Sequence, residues 1–67
     1  MLDRNAVRSD LEQWIDSIGL RAVLELLSEV CHEKADHLRV NWQDESAAKG
    51  WERDARRIEA CAGKVEV

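Results

Sequence analysis

At 67 residues the chain holds one domain at most, and folded chains this short bury only about 60% of the surface their unfolded forms expose. Ten Lys and Arg against fourteen Asp and Glu leave a formal net charge of −4. That balance lacks the basic face needed to bind nucleic acid or anionic membranes. A hydrophobic share of 45% is too high for intrinsic disorder, no run approaches the roughly 18 apolar residues of a membrane span, and the opening MLDRNAVRSD has no apolar signal-peptide core. A cytoplasmic protein is therefore expected.

Residues 1–8 carry no apolar pattern and read as a flexible N-terminal arm, with residues 9–67 forming a single helical domain. Ser9-Asp10-Leu11-Glu12 has the form of a capping box, in which Ser9 accepts from a first-turn amide and Glu12 reaches back. A short helix is expected over about 10–18, burying Leu11, Trp14, Ile15 and Ile18. Gly19 then supplies the left-handed residue that ends a helix. The next helix runs over about 20–41 without Gly or Pro, roughly 30 Å at 1.5 Å per residue. Its wide apolar stripe is Leu20, Val23, Leu24, Leu27, Val30, Cys31, Ala35 and Leu38.

Asn41-Trp42-Gln43-Asp44 is the expected turn, because Asn and Asp suit turns and caps. Asp44 or Ser46 caps a third helix over about 45–62, which Gly63 closes. Ala48, Trp51, Ala55, Ile58, Ala62 and Val65 fall at spacings of three and four and form one narrow apolar seam. Two long helices with a short connection make an antiparallel hairpin. With the turn centred between Trp42 and Glu45, residues whose numbers sum to about 87 lie side by side. That register sets Glu29 and Glu33 of the acidic row Glu25, Glu29, Glu33 near Arg53, Arg56 and Arg57.

Candidate chemistry is sparse. The same register offsets Cys31 from Cys61 by about five residues, or roughly 7.5 Å along the axis, so no intrachain disulfide is expected. Both thiols lie on or beside apolar stripes and read as small buried hydrophobes. Glu29-Val30-Cys31-His32 contains the Glu-x-x-His spacing of di-iron bundles. Those sites need inward-facing ligands from several helices, whereas Glu29, Glu52 and Glu59 lie off the apolar stripes. A metal-binding or redox bundle using Glu29, His32 and Cys31 is the alternative reading.

His32 with Asp36, and His37 with Glu33, read as solvated surface pairs. Cys31 and His32 are neighbours pointing about 100° apart on a helix, so no nucleophile has a base beside it. The helix after Gly19 is apolar and acidic, unlike a DNA-recognition helix.

Three Trp without Phe or Tyr is an unusual set. Trp14 and Trp51 fit apolar helix faces and are expected in the core. Trp42 is expected to close the open end of the core over Ala47 and Ala48; exposed, it would be an anchor for another protein. Gly50, inside a helix, is either tolerated near the helix start or marks a close helix contact.

The expected architecture is all-α: a short N-terminal helix plus an antiparallel two-helix hairpin, dimerising into a four-helix-type bundle. The expected function is non-catalytic: a small helical protein–protein interaction or regulatory module. It needs no cofactor, its partner is a second copy or another protein, and Trp42, Glu25, Glu29 and Glu33 are its contact surface.

Overall fold

The computed structural model describes residues 3–67, all of whose regular structure is helical. Helix α1 spans Arg4–Ile18, α2 spans Leu20–Asn41 and α3 spans Glu45–Ala62. The second and third match the expected spans. The first starts six residues earlier than sequence pattern suggested, so Arg4 to Arg8 belong to a helix rather than to an arm; Met1 and Leu2, also assigned to that arm, lie outside the described residues. Asp3 provides the cap in place of Ser9, its carboxylate accepting from the Asn5 amide at 3.2 Å. Val7 then leads the stripe Leu11, Trp14, Ile15 and Ile18 at helical spacing, which is why the helix extends back to it.

Gly19 separates α1 from α2 with φ 89° and ψ 158°, a conformation essentially confined to glycine. Its amide donates to the Ile15 carbonyl at 2.8 Å, while its own carbonyl accepts from Val23 at 3.2 Å. One residue thus closes one helix and opens the next. A Cβ here would also lie 3.1 Å from the Val67 carbonyl oxygen.

The α2–α3 turn depends on Gln43, whose φ of 49° is left-handed. The Leu38 carbonyl accepts from Trp42 at 3.2 Å and again from Asp44 at 3.1 Å, wrapping the chain over the end of α2. Asp44 caps α3, accepting from the Ala47 amide at 3.1 Å. Gly63 does follow α3, but with φ −64°; tight bonds from Lys64 to Cys61 and from Val65 to Ala62 finish the helix without a left-handed residue.

The tail folds back on the beginning of α2. Arg21 Nε donates to the Ala62 and Val65 carbonyls at 3.1 and 3.0 Å, and the Arg21 amide donates to Val67 at 2.9 Å. At the other end of the hairpin Arg39 reaches Glu45 and Glu52. These pairings bracket the expected register, and α2 and α3 are antiparallel.

What packs them together is small. Ala48, Ala55 and Ala62 repeat one heptad apart on α3, facing Ser28 and Ala35, one heptad apart on α2, and all five are buried. Short side chains let helix axes approach toward the lower end of the usual 8–10 Å. The Ser28 hydroxyl is satisfied within its own helix, donating to the Glu25 carbonyl at 2.7 Å. Among the described residues Val23 is the only buried one larger than these, and no large side chain is fully buried. Helix α1 touches α2 but makes no comparable contact with α3, and none of its residues is buried. The result is a flat body of 37 × 32 × 13 Å with a radius of gyration of 13.7 Å, against about 11 Å for a compact domain of this length.

Candidate functional site

The hairpin has one polar edge and one apolar edge. On the polar edge Glu45, Glu52 and Glu59 repeat at heptad spacing beside the alanine seam and meet Arg39 and His32 of α2. Arg39 grips Glu45 through two bonds of 2.7 and 3.0 Å and also binds Glu52. Its bonds to Glu45 first, and to Glu52 second, raise the guanidinium pKa above its ordinary value. The same hydrogen bonds from Arg39 hold both carboxyls below the ordinary glutamate range. His32 Nε2 lies 2.7 Å from Glu59 Oε1.

This edge differs from the expected pairing. Arg53, Arg56 and Arg57 do not meet Glu29 and Glu33: Arg57 pairs with Asp54 on its own helix at 3.1 Å, and among the described residues Glu25, Glu29 and Glu33 have no ion pair. The alanine seam, not the arginines, fixes the rotation of α3 and turns its glutamates toward α2. The expected histidine pairs are also displaced. His32 reaches across the hairpin, and His37 Nδ1 lies 2.7 Å from the Asn41 side-chain amide.

The apolar edge is open. Between α1 and α2 lies a groove of about 340 Å³ lined by Trp14, Ser17, Ile18, Val23, Leu26, Leu27 and Val30. Val30 also lines the adjoining depression with Glu33, Lys34, His37, Leu38 and Trp51, so the two form one surface along α2. Over Trp51 the Lys34 ammonium sits 5.8 Å from the ring centroid, within cation–π range. Trp14 is 53% exposed, Leu26 52% and Trp51 38%. The tryptophans expected in the core therefore stand at its margin, because the close alanine packing leaves no interior space for an indole.

Trp42 is 70% exposed rather than buried at the end of the core. Gln43 beside it is left-handed, and Ala48 has no exposed surface. Of the cysteines, Cys31 is half-buried and Cys61 exposed, both as free thiols, so burial fails for Cys61. Gly50 makes no close helix contact in the chain, a Cβ there meeting nothing within 4 Å.

The candidate metal residues do not converge. Glu29 is exposed and His32 is taken by Glu59 across the hairpin, while Cys31 diverges from His32 by about 100° on the helix. Among the described residues no three His, Cys, Asp or Glu side chains are grouped to hold an ion. No helix of the described residues is long and apolar enough to cross a membrane. Comparison with family models, curated proteins and solved structures gives no match to this chain.

Proposed function

We propose that the chain is a small, non-catalytic helical module whose work is protein–protein association through the apolar surface of α1 and α2. The observation that carries this reading is the placement of Trp14, Ile18, Leu26, Leu27 and Val30. All five are exposed and all line one groove. Contiguous apolar patches of this kind on a soluble chain mark interaction sites, and tryptophan is enriched where binding energy concentrates. Glu33 lines the adjoining depression, and Glu29, one turn before it on α2, is exposed. Trp42, exposed at the turn end of the hairpin, and Glu25, exposed near the opposite end of α2, offer separate further contacts.

The test is site-directed photocrosslinking in the cells that make the protein, with a photoreactive residue in place of Leu26 or, as control, of Arg57. Association predicts a covalent product with a second polypeptide from position 26 and little from position 57. Only uncrosslinked chain from position 26, or equal products from both sites, would count against the proposal.

A further inference from the structure

The chain's surface area and the shape and charge of the groove face all bear on what covers that face. The chain exposes 5475 Å², whereas a compact monomeric protein of 7.7 kDa exposes about 4,300 Å². The excess over the whole chain, about 1,200 Å², exceeds the roughly 800 Å² that each partner contributes to a standard interface. Chains below about 70–80 residues commonly obtain a core by oligomerising when no disulfide or metal supplies one.

The surface also carries both halves of a fit. Val7, Leu11, Trp14 and Ile18 form a ridge along α1, about 16 Å long at 1.5 Å per residue, and Trp14 and Ile18 of that ridge also form one wall of the groove. An isologous interface has this property, since one patch must complement itself.

The charges agree. Arg4 and Arg8, one turn apart, flank Leu11 and Ile15 on α1. Glu29 and Glu33, one turn apart, flank Leu26 and Val30 on α2. Among the described residues none of these four charges is in an ion pair.

We infer that a second copy of this chain covers the face, in a two-fold dimer where α1 of each protomer lies along Leu26, Leu27 and Val30 of the other. Arg4 and Arg8 of one copy then meet Glu29 and Glu33 of its partner, twice per dimer. This rests on the association role proposed above and names the partner.

Sedimentation equilibrium on the purified full chain tests it. The expected result is a dimer with a Kd below about 10 µM. Leu26→Glu, at a position exposed in the protomer, weakens it by about 100-fold or more by placing a carboxylate in the apolar contact. Arg8→Glu weakens it roughly tenfold, and Arg8→Glu combined with Glu33→Arg recovers most of the loss because the pair is re-formed with signs exchanged. Should Leu26→Glu lose its helix, the charge exchange carries the test alone.

A chain that stays monomeric at about 100 µM, or a dimer indifferent to the Arg8 and Glu33 exchanges, overturns the inference. A monomer that still crosslinks from position 26 to a different polypeptide overturns the second copy while leaving the association role standing. A monomer with no crosslinks removes both.

Discussion

Replacing Ala35 with leucine tests the alanine seam at its most enclosed point. Ala35 has no exposed surface and faces a helix whose own buried positions are all alanine. Leucine adds three carbons where no space exists, so α2 and α3 must separate or the side chain must leave its preferred rotamer. Overpacking of this kind costs about 1–3 kcal/mol. A core this small supplies about 3–5 kcal/mol in total, so a middle value near 2 kcal/mol removes close to half of it. For a domain of this size that lowers Tm by about 8–16 °C.

Thermal unfolding followed by circular dichroism at 222 nm, at one fixed protein concentration, reads the change directly. Ala60→Leu serves as control, since Ala60 is exposed on the outer side of α3 and should shift stability by no more than about 0.5 kcal/mol. An Ala35→Leu melt within about 2 °C of the unmodified chain would refute close packing on small side chains.

Other consequences are equally direct. Gly19→Ala places a Cβ at φ 89° and 3.1 Å from the Val67 carbonyl. It should cost about 1–3 kcal/mol in chemical denaturation, and an unchanged midpoint would mean the α1–α2 junction is not held as described. Glu45 and Glu52 have carboxyl pKa values lowered in the fold by hydrogen bonds from Arg39. Their contribution is therefore complete above the ordinary glutamate value near 4.5 and is lost as pH falls below it. Arg39→Ala should flatten the acid limb of a Tm-against-pH curve between neutrality and pH 3, and an identical acid limb in both proteins would contradict the network. Trp42→Ala should move stability by no more than about 0.5 kcal/mol, because the ring is largely exposed. A larger loss in urea unfolding would place that indole in packing.

The hairpin was legible because its boundaries have local chemical causes. Gly19, the unbroken run to Asn41, and Asp44 as a capping carboxylate lie at the observed ends of α2 and α3. The buried alanines were also visible as a seam. The start of α1 was not, since Ser9-x-x-Glu12 imitates a cap and Val7 alone continues the stripe toward Asp3. Val7 lying four residues before Leu11 was the signal that reveals it.

The candidate surface was legible only in part. Helical periodicity identifies which residues face inward from a helix, but not whether the same chain or another covers them. Trp14 and Trp51 sit on apolar stripes and yet remain exposed, because the close alanine packing leaves no interior space for an indole. The rotation of α3 depended on side-chain size: alanines entered the seam, glutamates fell on the α2 side, and the arginines expected to meet Glu29 and Glu33 were left outside.

Helicity and Tm measured by circular dichroism over a hundredfold range of protein concentration test most directly the proposal that this chain completes its core by association. Both should rise with concentration, with Leu26→Glu abolishing the dependence. Full helicity and a constant Tm throughout the series would contradict it.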